Sequence, residues 1–226
     1  DRTERQWFGS DVGGLAMFNG RQWLRYGRTS GELPSDAVTS LLEDRAAVLW
    51  IGTDKGLVRF DPSTRTWTTF PAGAGQLVGQ TITRLFEDSR GTLWIATTSG
   101  LSALDPTRTS WTSYSKSASG LGQDSVTAVC EDPQGRMWFG TTTGVDILGP
   151  GGWTHLRQIP GLPSDLVLAL ARDSTGRMWL SGADGVVHTD GTVFRADRVT
   201  ADGSPIGPIA NLLVEERVTL RAFYSL

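Results

Sequence analysis

Residues 33–70 read LPSDAVTSLLEDRAAVLWIGTDKGLVRFDPSTRTWTTF. Turn signals cut the stretch into four short runs. AVTSLLE is apolar and β-branched, as strands are. DRAA turns the chain, and later copies of this turn read DSRG, DPQG and DSTG, the Asp-x-x-Gly preference of a tight turn. VLWIGT is a second strand. TDKG turns again, with Gly56 free to take a positive φ. LVRFD is a third strand, PSTR a third turn, and TWTTF a fourth strand. No run shows a helical period, so the stretch predicts a four-stranded antiparallel meander.

Outward from this unit the same text recurs. One tryptophan series is Trp7, Trp50, Trp94, Trp138 and Trp179; a second is Trp23, Trp67, Trp111 and Trp153, with Phe194 in the fifth slot. An apolar residue opens each unit at Val38, Ile82, Val126 and Val167, and again at Ile209. An Asp stands six residues before each first-series tryptophan (Asp1, Asp44, Asp88, Asp132, Asp173), and a Gly six residues after it (Gly13, Gly56, Gly100, Gly144, Gly185). Four strands in each period of roughly 40–45 residues is the signature of a β-propeller. The expected fold is therefore all-β, with five four-stranded blades visible. The first-series tryptophans fill the space between adjacent blades.

The ends fall out of phase with the blades. The chain enters at Gln6–Ser10, a second strand without its first. Residues 208–215 carry the first-strand pattern, and the simplest closure pairs them with residues 5–10, giving a propeller over 1–215. The alternative is part of a larger ring. Residues 216–226 then form an extra strand or a degenerate sixth repeat, since Arg221 takes the tryptophan slot.

Composition narrows the function. The 226 residues carry 21 Lys plus Arg and 24 Asp plus Glu, a net charge of -3, so phosphate neutralisation on a nucleic acid is not expected. No apolar run is long enough to span a membrane. The single cysteine, Cys130, sits in an apolar strand, and rules out an internal disulfide or a multi-cysteine metal site. His155 and His188 are not in a metal-ligand spacing, residues 73–79 lack the helix a phosphate loop needs, and no nucleophile elbow occurs. No catalytic residue, cofactor or metal is expected.

The units around Trp50-Ile51-Gly52-Thr53 and Trp138-Phe139-Gly140-Thr141 resemble the two-component regulator propeller repeat. The likeness weakens at Trp94-Ile95-Ala96-Thr97 and Trp179-Leu180-Ser181-Gly182. It implies a non-catalytic sensing module of a bacterial signalling receptor, placed in the periplasm or outside the cell, whose ligands are often carbohydrate fragments. Streptogramin-lyase propellers are a more distant alternative, because no histidine stands on the expected binding face. With Asp1 first and no signal peptide in view, the sequence reads as a processed or trimmed chain.

Blade geometry gathers two kinds of loop on that binding face. The loop before the first strand places Asp36, Gln80, Asp124 and Asp165 at matching positions. The turn between second and third strands adds Asp54, Lys55 and Asp184, and Asp11 with them. Arg84 is an outlier on a first strand, where its counterparts are Ser40, Ala128, Ala169 and Asn211. Such residues at a channel mouth suit a cation, sugar hydroxyls or an anionic group; the same acids also suit turn capping, and Arg84 also suits a nearby acid. A scaffold that binds another protein is the second expectation, since function lives in loops and not in blades. Residues 71–80, 115–124 and 196–208 are the long loops where either would act.

Overall fold

A computed structural model describes residues 1–197 apart from 3, 74, 163, 184 and 192, together with residues 211–214 and 220–223. The secondary structure of the described residues is all β. The chain divides into two compact units, residues 1–114 and 115–226.

The first unit holds three sheets. β1 (Gln6–Gly9), β2 (Leu15–Phe18) and β3 (Trp23–Tyr26) make a three-stranded meander. β4 (Val38–Glu43), β5 (Leu49–Thr53), β6 (Gly56–Asp61) and β7 (Thr66–Phe70) make a four-stranded one. β8 (Ile82–Glu87), β9 (Leu93–Thr97), β10 (Gly100–Leu104) and β11 (Trp111–Tyr114) repeat it. The second unit continues with β12 (Val126–Glu131), β13 (Met137–Thr141), β14 (Gly144–Gly149) and β15 (Gly152–Leu156), then β16 (Val167–Arg172), β17 (Met178–Gly182), β18 (Val186–Thr189) and β19 (Phe194–Asp197). A hairpin of β20 (Asn211–Val214) and β21 (Leu220–Phe223) follows. All strand ladders are antiparallel between neighbours in sequence, so these are the propeller-type blades expected from the repeat.

The described part of the 208–215 segment, Asn211–Val214, pairs with Leu220–Phe223. Among the described residues β1 pairs with β2. Residues 208–210 and 215 lie outside the described set.

The Asp that precedes each tryptophan by six explains the period. Asp44 accepts the backbone N–H groups of Ala46 (2.9 Å) and Val48 (3.1 Å) on Oδ1, and the indole N–H of Trp50 (2.8 Å) on Oδ2. Asp88 does the same for Arg90, Thr92 and Trp94, Asp132 for Gln134, Arg136 and Trp138, and Asp173 for Thr175, Arg177 and Trp179. One carboxylate thus shapes the turn and satisfies a large ring that must be buried.

With its N–H satisfied, the ring can go inside. Trp50 is 1% exposed and clusters with Leu77, Ile82, Leu85 and Leu93 of the following sheet. Trp138 is buried in the same way among Leu162, Val167, Leu170 and Met178. Burying a tryptophan of about 200 Å² contributes about 5 kcal/mol at about 25 cal/mol per Å². Each four-stranded sheet also carries a register shift early in its first strand, at Val38/Ser40, Ile82/Arg84, Val126/Ala128 and Val167/Ala169. The extra residue frees side chains to reach the next sheet: Ser40 Oγ accepts the N–H of Leu85 (3.1 Å), and Thr127 Oγ1 donates to the carbonyl of Val167 (2.5 Å).

A second clamp joins sheets in the first unit. The N–H of Arg2 donates to the Glu43 carboxylate (3.0 and 3.1 Å), and that of Arg45 to Glu87 (2.9 Å). In the second unit the matching positions are Pro133, which has no N–H, and Arg172, which has no acceptor. Donor and acceptor are lost together.

Candidate functional site

The loop before each first strand starts as the preceding outer strand ends, and a carboxylate ties its two ends. Asp36 Oδ1 accepts the N–H of Arg28 (2.7 Å), Asp124 Oδ1 that of Lys116 (2.6 Å), and Asp165 Oδ1 that of Gln158 (2.7 Å). Three of the sequence-derived site residues are therefore loop anchors, each with its second oxygen still available. Gln80 occupies the slot in the remaining four-stranded sheet and is exposed.

The turn between second and third strands is built by the threonine of the Trp-Ile-Gly-Thr run. Thr53 Oγ1 donates to the carbonyl of Gly56 (2.8 Å) and accepts the N–H of Lys55 (3.1 Å). Thr97 and Thr141 repeat both bonds. Gly56, Gly100 and Gly144 take φ values of 130°, 131° and 125° there, and a Cβ on Gly144 would lie 2.1 Å from the carbonyl oxygen of Leu156. In the first sheet the positive φ falls on Gly14 (73°), one residue after the Gly13 that the spacing points to.

These turns carry Asp54 and Lys55. Lys55 is exposed. The main chain of Asp54 is held from both sides: its N–H donates to Ala37 (3.3 Å), and its carbonyl accepts from Thr81 Oγ1 (3.3 Å). Its side-chain Oδ1 is buried and has no hydrogen-bond partner. Arg84 sits on β8 opposite Ala96, just past the bulge, half-buried. Burial pushes its guanidinium below the usual arginine range. Asp54, Lys55, Gln80 and Arg84 all belong to the first unit; Asp124 and Asp165 belong to the second. Asp184 lies outside the described residues.

One cluster goes unseen in the sequence. Asp146 on β14 is fully buried and accepts the N–H groups of Gly122 (2.9 Å) and Gln123 (3.2 Å) on Oδ2, while Oδ1 meets His155 Nδ1 (2.8 Å) and Arg157 Nη2 (2.6 Å). Ser102 holds the N–H of Val78 in the matching place (3.0 Å). The signal available was the charge itself, since the other counterparts of Asp146 are Val58 and Val187. His188 lies on the ring of Trp179 (4.8 Å between centroids), beside a cavity of about 190 Å³ lined by Arg177, Asp190, Val193 and Arg195. Among the described residues no three His, Cys, Asp or Glu side chains form a group that could hold a metal ion, and no helix is long and apolar enough to cross a membrane.

The family model described as two component regulator propeller matches residues 76–99, 120–143 and 161–184. In these three segments the chain is similar to that repeat. Each matched segment runs from the loop before a first strand through that strand, the Asp turn and the second strand to the turn that follows it. A search of the curated proteins finds no match.

Among solved structures, the chain is similar to the extracellular domain described as the hybrid two component system BT3049 from B. thetaiotaomicron, with 24% identity and a TM-score of 0.73. It covers 86% of this chain and 27% of that one. The extracellular domain of BT4673 from the same organism matches at 17% identity and 0.62, over 96% of this chain and 37% of that one. The chain thus spans well under half the length of these two solved chains. A catalytically inactive virginiamycin B lyase from Staphylococcus aureus matches at 12% identity and 0.68, over 92% and 71% of the two chains. At these identities the likeness is one of fold, shared by receptor regions and an enzyme alike.

Proposed function

We propose that these repeats form a non-catalytic ligand-sensing module in the extracytoplasmic region of a two-component-type receptor, periplasmic or extracellular. The ligand is a small molecule rich in hydroxyl groups, of carbohydrate type. The observation that carries the reading is Asp54 Oδ1, a buried carboxylate oxygen with no donor. Leaving such an oxygen unpaired costs about 1–3 kcal/mol, more when it is charged, and a ligand hydroxyl removes that cost. Exposed Lys55 and Gln80 supply further polar contacts, and Arg84 a cation, within the same unit. Asp36, in the same unit, contributes through the loop that it anchors.

The test is a thermal-shift panel of mono- and oligosaccharides on the wild-type chain and on Asp54→Ala. A ligand at 100-fold its Kd stabilises the fold by about 2.7 kcal/mol, which raises Tm by several degrees. The expected result is a shift in the wild type that Asp54→Ala abolishes. A panel with no shift, or an equal shift in the variant, sinks the reading. Protein recognition is a second reading, favoured by the exposed aromatic rings Phe8 and Trp23 on the first sheet.

A further inference from the structure

The turn that joins β2 to β3 reads Asn19-Gly20-Arg21-Gln22, and all four residues are exposed. The matching turns of other sheets are open in the same way, at Ser63, Thr107 and Gly191. Asn19 follows Phe18, which pairs with Trp23. In the same place Asp61 follows Phe60, Asp105 follows Leu104, and Asp190 follows Thr189. Three other sheets thus carry a carboxylic acid where the first sheet carries its amide.

Hydrogen bonds fix how the amide lies. Asn19 Oδ1 accepts the N–H of Arg21 (3.0 Å) and that of Gln22 (2.9 Å). Only the oxygen of a side-chain amide can accept them, so the carbonyl of Asn19 is aimed at the main chain. The next residue is a glycine at φ 85°, with nothing within 4 Å of where a Cβ would stand. The main-chain nitrogen of Gly20 therefore has no side chain to shield it. That nitrogen is the atom that closes a five-membered ring onto Asn19 Cγ.

We infer that Asn19 is a self-modification site, at which the turn converts its own amide to aspartate. The Gly20 nitrogen gives its proton to solvent and bonds to Asn19 Cγ. The Cγ–Nδ2 bond breaks, and Nδ2 leaves as ammonia with a proton from solvent. A succinimide ring is left. Water then adds at Cγ, the bond from Cγ to the Gly20 nitrogen breaks, and that nitrogen regains a proton. The net change is amide plus water to carboxylate plus ammonium, and nothing is oxidised or reduced. Both additions place negative charge on Oδ1, where the N–H groups of Arg21 and Gln22 already stand as an oxyanion hole. The second addition can also occur at the main-chain carbonyl, which yields isoaspartate; the donor pair favours the Cγ side and hence aspartate. The product suits the fold: Asp105 Oδ1 accepts the N–H groups of Thr109 and Ser110 (2.8 Å each), and Asp61 Oδ1 that of Ser63 (3.0 Å). Asp190-Gly191 has the same spacing, but there the N–H of Gly191 donates to Thr189 Oγ1 (3.0 Å), which ties down the attacking nitrogen. The inference stands apart from the ligand site proposed above.

Two measurements test it on the full chain. In the first, the wild-type chain is held in mildly alkaline buffer, one sample native and one unfolded in guanidinium chloride, so that no variant need fold. Peptide mass spectrometry follows the loss of the Asn19 amide and separates aspartate from isoaspartate. One oxyanion donor contributes about 10²–10³ in rate inside an enzyme and less where water competes, so the native chain is expected to react at least about tenfold faster than the unfolded one. Its product is also expected to be richer in aspartate. No conversion, an equal or slower native rate, or an unchanged share of isoaspartate overturns the proposal. In the second, the Tm of Asn19→Asp is compared with that of the wild type. An equal or higher Tm is expected, because the carboxylate takes the same two N–H groups; a lower Tm overturns the claim that the product suits the turn.

Discussion

The Asp–tryptophan bond can be measured by removing its two ends in turn. Asp132 is 2% exposed and Trp138 is 2% exposed. Asp132→Ala strands three N–H groups and the Nε of Arg136. The indole N–H is buried and cannot reach water, a cost of about 1–3 kcal/mol. The backbone N–H groups of Gln134 and Arg136 lie near the surface and lose about 0.5–1.5 kcal/mol each. Together the change costs about 2–6 kcal/mol, a large part of the stability of an ordinary domain. Trp138→Phe keeps a ring but loses the N–H and some volume, and costs about 1–3 kcal/mol. In the double variant the stranded indole N–H no longer exists. The double loss is therefore smaller than the sum of the single losses by about 1–3 kcal/mol. Urea unfolding of the four proteins, with a constant m-value, gives these numbers. Additivity within about 0.3 kcal/mol would refute the claim that the bond couples turn and ring.

Three other outcomes follow from particular residues. Ala47 takes φ 61° where Gly91, Gly135 and Gly176 take 87°, 72° and 87°, so Ala47→Gly raises stability by about 0.5–1 kcal/mol in urea unfolding, while Gly144→Ala loses at least about 2 kcal/mol because its Cβ meets a carbonyl. The carboxyls of Asp132 and Asp173 are held below the usual range by hydrogen bonds that outweigh their burial, and that of Asp105 is held down to about 2 by its bonds to Ser110 and Thr107; stability is thus complete above about pH 4, the unfolded carboxyl range, and falls as pH drops toward the folded values, which acid titration of Tm will show. Cys130 is buried and its thiol is pushed up to about 11 mainly by that burial, so a thiol reagent at pH 8 modifies it only at the rate of unfolding; fast labelling of the native chain would contradict its placement.

The parts of the molecule that repeat were legible in the sequence, and the parts that occur once were not. Trp50 and its equivalents announced the sheets because packing demands the same ring at the same place each time. The Asp six residues earlier was visible for the same reason, although spacing alone does not say that its carboxylate holds both turn and indole. Asp36, Asp124 and Asp165 were found by phase, and their bonds to Arg28, Lys116 and Gln158 depend on loop paths that phase does not encode. Asp146, His155 and Arg157 form their cluster in one sheet only, so no periodic signal pointed to it.

The bond between Asp44 and Trp50 begins and ends inside six residues, as do its copies. The threonine turn is equally short-ranged. Most of what makes a sheet correct is therefore carried within it. A gene for such a chain can gain or lose one whole period without rewiring the others, whereas an insertion of half a period breaks an Asp from its tryptophan. Growth by duplication, and the drift in sheet number that goes with it, is the evolutionary counterpart of a carboxylate that never reaches farther than its own turn.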